Sequence, residues 1–420
     1  MSVKDIQTRI ERLSAEIERQ KDVLDQLEHS RSAAQRQLNA IRDPVARLPL
    51  EISSEIFLQC LSFSPKPSPR AAPMLLLNVC SAWSNIALST PTLWAAISSS
   101  FPCDELLRIW LQRARGYPLS VALLGDVEND VCAIIGKYSK QLKHLEIFAE
   151  ELDLDSFITI GPFPCLETLE IGNFAEVVSY DVSIPQIIDL LRLAPNLVEC
   201  TLEYTFTSVN LDYGREENTI LPNIRILKFG KTTDLNKVES HDGILQFISL
   251  PGLTTLFLSL EYIYARDFFL FLERSLPPLK RLGLGVGCFD CPFIELDRCL
   301  RLLPTLTHLE LCLVPESFMD LLLTLASSSS DFLPNLHSLK IRYPIGIVPS
   351  EAAYQAILRA LSNRRAQLRS FDHRGGGGSR AMAPLAQEVC NAFNQLRADG
   401  TEIYIGTDNC NFLDVSVGGL

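Results

Sequence analysis

A short apolar frame recurs through residues 142–373 and limits what this chain can fold into. In each copy, apolar side chains occupy the first, fourth and sixth positions, as in Leu142-x-x-Leu145-x-Ile147. The copies begin at Leu142, Leu166, Leu197, Ile224, Leu253, Leu279, Leu306, Leu336 and Leu368, and the last copy fades. Their spacing runs from 24 residues between Leu142 and Leu166 to 32 between Leu336 and Leu368. Because one such unit cannot bury its own leucines, the pattern predicts a stack of units that share one core.

Each unit is predicted to be a short strand followed by a returning helix. The helical segments lie over Pro185–Leu193, Asp267–Leu276, Glu295–Leu303, Glu316–Ala326 and Glu351–Leu361. A proline stands one or two residues before most frames and suits the exit from helix to strand, because it disfavours helix at the preceding residue. These prolines are Pro164, Pro195, Pro222, Pro251, Pro278, Pro304 and Pro334. The units resemble leucine-rich repeats, although the usual Asn or Cys after the strand is mostly absent. The predicted fold class is therefore α/β, with a leucine-rich repeat solenoid over residues 136–373.

The first segment, residues 1–43, has a seven-residue rhythm. Its two heptad rows hold Val3, Ile10, Ile17, Leu24, Arg31 and Leu38, and Ile6, Leu13, Gln20, Leu27, Ala34 and Ile41. The remaining positions are almost wholly polar, and no Gly or Pro interrupts the segment before Asp43-Pro44. This narrow apolar seam predicts a coiled-coil helix. The helix either associates with itself or with a partner helix, or it folds back onto the body of the protein.

Residues 44–97 predict a small helical domain. A first helix has an apolar face formed by Leu50, Ile52, Ile56, Phe57 and Leu61, and the Ser- and Pro-rich stretch Phe63–Pro73 is predicted to be a loop. A second helix has an apolar side formed by Leu76, Val79, Cys80, Trp83 and Ala87. So small a unit cannot cover this much apolar surface by itself. We therefore expect the C-terminal domain, a partner protein or both to dock on it.

This segment resembles an F-box of the type common in fungi. The resemblance is carried by Leu48-Pro49-x-Glu51-Ile52, Ile56-Phe57, Val79-Cys80-x-x-Trp83 and the tail Thr90-Pro91-Thr92-Leu93-Trp94. In that family the first and third motifs bind the Skp-type adaptor of cullin-based ubiquitin ligases. The resemblance implies adaptor-binding residues here at Leu48, Pro49, Ile52, Ile56, Val79 and Trp83. The loop Phe63–Pro73 departs from the compact link that is usual between the first two helices.

The segments that flank the repeats are predicted to link and cap them. Residues 98–135 contain a helix at Glu105–Leu111 and an alternating strand at Leu119–Leu123. Residues 374–420 begin with a flexible run, Gly375–Ser379. A helix at Leu385–Leu396 and a strand at Thr401–Ile405 follow.

The bulk composition narrows the partners and the compartment. A formal net charge of −12 argues against nucleic-acid binding, which normally needs a basic face. The 12 cysteines form no regular framework, and the first residues lack an apolar signal region. No run of about 18 apolar residues could span a bilayer. We expect a cytoplasmic or nuclear protein that binds neither membrane nor nucleic acid.

Two motifs carry the residue types of catalytic or metal chemistry. Cys288-Phe-Asp-Cys291, with Cys299 nearby, has the spacing of zinc ligands, but no second pair stands at a matching distance. His144-Leu-Glu146 and His308-Leu-Glu310 recur because they occupy the same frame positions in two repeats. We therefore expect no catalytic residue, no metal site and no cofactor.

Charged and aromatic residues occupy the strand positions that point away from the core. They are Glu146, Glu170, Glu199, Glu203, Lys228, Phe257, Arg281, Glu310, Lys340 and Arg342. The early repeats are acidic and the later ones mixed to basic. This ribbon is a candidate recognition surface for a target protein.

The resemblance and the repeats together predict a substrate-recognition subunit of an SCF-type (cullin) ubiquitin ligase. It would hold the Skp-type adaptor, and through it a cullin, with residues 44–97 and an unknown target with the repeats. It would not be an enzyme itself. The alternative is a non-catalytic scaffold or ligand-sensing repeat protein that assembles through its coiled coil, without ubiquitin transfer.

Overall fold

The chain is a mixed α/β protein with two compact units. The computed structural model describes residues 3–99, 104–125, 129–149, 153–172, 183–203, 218–229, 242–258, 265–284, 293–312, 321–325, 332–343, 350–375, 386–407 and 410–414. The helical unit comprises Met1–Ser99 and Glu105–Leu119. The sheet unit comprises Ser100–Asp104 and Ser120–Leu420.

The helical unit begins with one long helix, as the heptads predict. Its helices are α1 (Val3–Arg42), α2 (Leu50–Leu58), α3 (Met74–Leu77), α4 (Ser81–Ser89) and α5 (Asp104–Arg113), with single 3₁₀ turns at Val45–Arg47 and Pro91–Trp94 and one strand, β1 (Ala96–Ser99). The predicted loop Phe63–Pro73 contains neither helix nor strand. The Ser98 N–H donates to the Pro65 carbonyl at 2.8 Å, which fastens this loop to β1. No helix in the described part of the chain is both long and apolar enough to cross a bilayer.

The second predicted helix of this unit is in fact two helices. After α3, the Asn78 N–H donates to the Leu75 carbonyl at 3.0 Å, and Cys80 then adopts an extended backbone (φ −161°, ψ 171°) from which α4 begins. The Cys80 thiol lies 3.5 Å from the Asp43 carboxylate. Val79 falls in this break and is exposed. The prediction of one continuous helix with Val79 on its apolar side is therefore wrong.

The core of the helical unit is built on the Thr90–Trp94 tail. Leu93 and Trp94 are fully buried, and the Trp94 ring packs against Trp110 at 5.0 Å. Both indole N–H groups are satisfied, by Ala87 O at 3.0 Å and Ala96 O at 3.1 Å respectively. These aromatic contacts fix α4, β1 and α5 together, because two large rings are removed from water and their polar atoms keep partners.

The sheet unit is dominated by one mostly parallel sheet in which successive strands are neighbours. The strands are β2 (Leu119–Leu124), β3 (Leu142–Phe148), β4 (Thr168–Gly172), β5 (Glu199–Leu202), β7 (Ile226–Phe229), β9 (Thr255–Leu258), β10 (Arg281–Leu284), β11 (His308–Cys312), β12 (Ser338–Tyr343), β13 (Ser370–Gly375), β14 (Glu402–Thr407) and β15 (Cys410–Asn411). Only β15 is antiparallel to its neighbour among the strand pairs that have a described register. The short strands β6 (Thr219–Ile220) and β8 (Ile248–Ser249) form a separate parallel pair.

The frames predicted from the sequence stand in register across the sheet. Their fourth positions pair from strand to strand in the order Leu145, Leu169, Cys200, Leu227, Leu256, Leu282, Leu309, Leu339 and Phe371. Phe371 pairs in turn with Ile403 of β14, for which no frame was predicted. Every residue of this row is at most 5% exposed, and the first and sixth positions are buried as well. The predicted inward face is therefore confirmed. The ninth frame does not fade, because β13 pairs with both neighbours and places His373 where the other copies have an apolar residue.

Helices connect the strands on the returning path. They are α6 (Asn129–Gly136), α7 (Leu154–Ile160), α8 (Ile184–Arg192), α9 (Ala265–Ser275), α10 (Phe293–Arg301), α11 (Glu351–Asn363) and α12 (Gln387–Ala398). Residues 321–325 are also helical, and the rest of the predicted helix Glu316–Ala326 lies outside the described residues. In the terminal segment, the predicted helix and strand correspond to α12 and β14, whereas β15 was not predicted. Of the Gly-rich run, only Gly375 is described.

Repeats are also joined by side-chain amides just ahead of the frames. Asn196, Asn223 and Asn335 each follow a proline, and each amide donates to the carbonyl of the proline one repeat earlier: Pro164, Pro195 and Pro304. The three distances are 2.8, 2.8 and 2.9 Å. In these three places, the Asn that follows the proline links the start of its own frame to the start of the preceding frame.

Candidate functional site

The helical unit leaves apolar side chains of its first motif open to solvent. Leu48, Ile52 and Ile56 are 41, 50 and 41% exposed, and Pro49 is exposed as well. The reason lies in how α2 is seated. Its inward face carries Ser53, whose hydroxyl donates to the Val45 carbonyl at 3.1 Å, and the fully buried Phe57. Ile52 and Ile56, one turn apart on a different face, are left without cover.

The third motif is divided between surface and core. Val79 is 51% exposed in the break before α4. Trp83 is half-buried, and its ring lies 5.0 Å from the Phe57 ring, so it holds α4 against α2. The structure thus joins Trp83 to α2 through Phe57 and leaves the other five predicted adaptor-binding residues at the surface. Sequence reasoning missed Phe63 and Leu75, which are also exposed; an apolar residue in a polar loop is the signal that Phe63 offered.

The predicted ribbon on the sheet lies on one face but in three rows. Fifth frame positions form the central row, which reads Glu146, Glu170, Thr201, Lys228, Phe257, Gly283, Glu310, Lys340, Asp372 and Tyr404. Glu199 and Arg281 belong to the row two residues earlier. Arg342 belongs to the row two residues later. Glu203 follows β5, and its N–H donates to the Ile171 carbonyl at 2.7 Å. The prediction that Glu203 is a surface residue is wrong, because its side chain is buried. We call this surface the outer face.

Most charges on the later strands of the outer face neutralise one another. Glu310 on β11 accepts from Lys340 at 3.1 Å and from Arg342 at 3.0 Å, both on β12. Glu199 on β5 pairs with Lys228 on β7 at 2.6 Å. The basic character expected of the later repeats is therefore smaller than the sequence suggests, because Lys228, Lys340 and Arg342 are paired with carboxylates on neighbouring strands.

The carboxylates at the start of the outer face form an acidic patch. Glu146 and Glu170 are half-buried on adjacent strands, and neither has an ion pair among the described residues. Burial raises the pKa of Glu146. Burial also raises the pKa of Glu170, and the nearby carboxylates of Glu146 and Glu203 raise it further. The patch therefore concentrates carboxylates on adjacent strands of the outer face.

Phe257 supplies the aromatic side chain at the centre of the outer face. Its ring lies across Gly283 of the next strand, where a Cβ would be 2.2 Å from Phe257 Cδ1. The glycine therefore makes room for the ring. At the far end, the Arg374 guanidinium stacks over the Tyr404 ring at 4.5 Å and pairs with Asp372 at 2.8 Å. Sequence reasoning missed Asp372, Arg374 and Tyr404 because it took the ninth frame to be incomplete.

The two motifs with catalytic or metal-binding residue types gain no further support. Cys288 and Cys291 lie outside the described residues, and Cys299 is buried in α10. His144 and His308 lie on the outer face, and burial lowers the pKa of both imidazoles. Within the described residues, no group of three or more His, Cys, Asp or Glu side chains could hold a metal ion.

No protein-family model matches the chain, and no curated protein matches it. The F-box resemblance is thus carried by the sequence motifs alone. The features of the molecule that bear on its function are the exposed apolar residues of the helical unit and the outer face of the sheet unit.

Proposed function

We propose that this chain is a substrate-recognition subunit of an SCF-type ubiquitin ligase. The helical unit would bind the Skp-type adaptor, which links to a cullin. The sheet unit, a leucine-rich repeat solenoid in this proposal, would bind the target protein. The subunit performs no chemistry and raises the local concentration of the target beside the transferring enzyme.

The exposure of Leu48, Ile52, Ile56 and Val79 carries this proposal. They are the motif positions that the F-box resemblance assigns to the adaptor interface. An aliphatic side chain contributes roughly 1–2 kcal/mol when it is transferred from water into an apolar interface. Four partly exposed side chains therefore supply on the order of 4 kcal/mol, about a thousandfold in Kd.

The strand register supports the repeat part of the proposal. Each frame stacks directly on the next, and Pro-Asn steps tie neighbours together. Stacked repeats place their strand side chains in one continuous surface, which is suited to a protein partner rather than to a small ligand. The outer face, with its acidic start and the half-buried ring of Phe257, is the surface that we assign to the target.

Co-purification with a Skp-type adaptor tests the adaptor assignment. Ile52→Ala/Ile56→Ala/Val79→Ala should weaken the association at least a hundredfold, because these side chains have little to do in the fold itself. Val198→Ala, which truncates an exposed aliphatic residue of the sheet unit, is the matched control and should bind normally. Trp83 is unsuitable as the only test because it packs on Phe57. The assignment fails if wild type does not bind the adaptor, or if the triple variant binds as wild type does.

Charge reversal tests the target assignment. Glu146→Lys/Glu170→Lys should reduce capture of target proteins from cell extract. Glu11→Lys/Asp25→Lys, which reverses two exposed charges of α1 away from its seam, should not. Both variants should retain adaptor binding. Unchanged capture by the double variant would show that the outer face is not the recognition surface.

The scaffold alternative is favoured by one observation, the exposed seam of α1. Under that alternative the chain assembles through α1 and its repeats bind a ligand without ubiquitin transfer. The adaptor experiment separates the two, because a scaffold has no reason to bind the adaptor through Ile52 and Ile56.

A further inference from the structure

The apolar seam of α1 is open to solvent between Ile6 and Leu38. The helix has 40 residues and is about 60 Å long. Its exposed seam residues are between 39 and 62% accessible: Ile6, Ile10, Leu13, Ile17, Leu24, Leu27 and Leu38. An isolated helix with this pattern leaves a continuous apolar stripe in water, which a second helix would cover.

We propose that a second copy of the chain covers this stripe, and that the two α1 helices form a parallel, in-register coiled coil. The inference goes beyond adaptor and target binding and does not depend on either. In heptad terms, Val3, Ile10 and Ile17 occupy the a positions of the first three heptads, and Leu13 and Leu27 occupy d positions. β-Branched residues at a with leucine at d favour two parallel strands.

The charges beside the seam fit this arrangement. In a parallel pair, each g residue faces the e residue five positions later in the other helix. Glu16 then faces Lys21 of the second copy, and the two-fold symmetry creates this attraction twice. The other facing pairs contain at most one charge: Arg9 with Ser14, Val23 with Glu28, Ser30 with Gln35 and Gln37 with Arg42. The parallel alignment therefore contains no like-charge g–e pair.

An antiparallel pair over the same length is less favourable. It places Lys21 beside Lys21 of the second copy and leaves Glu16 facing Ser30. It also sets Gln20 against Leu24, whereas in the parallel pair the two Gln20 amides face each other and can exchange hydrogen bonds. Arg31 opposes its own copy in the parallel pair, and its long side chain can reach solvent past the seam.

Dimerisation would make target capture bivalent. Each particle would carry two helical units and two sheet units. A target that is itself repeated or oligomeric would then be held by two outer faces, and the second contact would form at the effective concentration set by the first.

Sedimentation equilibrium of the full-length chain tests the dimer. The wild type should sediment at twice 46.9 kDa. Leu13→Asp/Leu27→Asp, which buries four carboxylates in the seam of a dimer, should sediment as a monomer with an unchanged sheet signal. Ala15→Asp/His29→Asp places the same charge on the outer side of α1 and should remain dimeric. A monomeric wild type, or a seam variant that still dimerises, would overturn the proposal.

A charge exchange tests the orientation. Glu16 and Lys21 also pair within their own helix, with Arg19 at 2.7 Å and Glu18 at 2.9 Å, so the single variants alone do not isolate the contact between helices. Lys21→Glu should weaken the dimer about tenfold, and Glu16→Lys added to it should restore most of the loss. Restoration by Glu28→Lys instead would indicate an antiparallel pair staggered by one heptad and would overturn the parallel assignment.

Discussion

His373→Ile is expected to remove much of the acid sensitivity of the sheet unit. His373 is fully buried at the sixth frame position of β13, where its neighbours in register are Ile341 and Ile405. Its ring lies 5.7 Å from Tyr354 and 6.2 Å from Phe371. Isoleucine restores the residue type of the row and does not titrate.

The magnitude follows from the pKa. Burial lowers the pKa of His373 from 6.5 to about 4, against a smaller opposing effect of a backbone hydrogen bond. Because the folded pKa is depressed, the neutral form is the stable one in the fold, and the unfolded chain binds the proton first as the pH falls. The contribution of neutral His373 to the free energy of unfolding is thus fully present above pH 6.5 and is lost progressively as the pH falls to about 4. A difference of about 2.5 pKa units corresponds to about 3 kcal/mol.

Urea unfolding at pH 7, 5.5 and 4 measures this loss. Far-UV circular dichroism follows both units, while tryptophan fluorescence follows only the helical unit, since Trp83, Trp94 and Trp110 all lie there. A transition seen by circular dichroism but not by fluorescence is therefore that of the sheet unit. Between pH 7 and 4, wild type should lose about 3 kcal/mol more sheet stability than His373→Ile. His29→Gln, which changes an exposed histidine of α1, should behave as wild type. An equal acid loss in wild type and His373→Ile would refute the reasoning.

Three further outcomes are expected. The free energy of unfolding of the sheet unit should fall by about 0.5–1 kcal/mol when Asn196, Asn223 or Asn335 is replaced by Ala, because each change removes a hydrogen bond between repeats. Asn391→Ala, which removes a hydrogen bond within α12, should cost less, and an equal cost would contradict the role of the Pro-Asn steps. A thiol reagent at pH 8 should label the exposed Cys60 and Cys165 of the folded chain but not the buried Cys132 and Cys200, because burial raises the pKa of these two thiols to about 11 and about 12. Mass mapping measures the labelling, and early labelling of Cys200 would contradict the prediction. Gly283→Ala should cost about 1–3 kcal/mol in urea unfolding, and much less in a Phe257→Ala background, so additive costs would show that the ring does not occupy that space.

The repeat register could be predicted from the sequence because its signal is local. Apolar residues at the first, fourth and sixth positions of a frame specify which face of its strand points inward, and every frame specifies the same face. The charges of the outer face up to β12 were identified by the same alternation. Their pairing was not, because Glu310 meets Lys340 and Arg342 only once a strand 30 residues away is placed beside it.

The errors arose where a residue type was taken as a guide to local structure. Val79 and Cys80 fit the apolar side of one helix, yet the extended Cys80 breaks that helix before α4. His373 made the ninth frame look incomplete, yet the strand continues through it and buries the imidazole. Sequence periodicity does not distinguish a residue covered by the fold from one left for a partner, nor a polar residue at the surface from one buried in the core.

Hydrogen exchange of the full-length chain with and without a Skp-type adaptor tests the proposed function most directly. Binding should slow amide exchange in residues 48–58 and 74–83, where the exposed motif residues lie, and leave the strands β3 to β13 unchanged. An adaptor that slows no amide of the helical unit, or slows only those of α1 or the sheet, would contradict the proposed function.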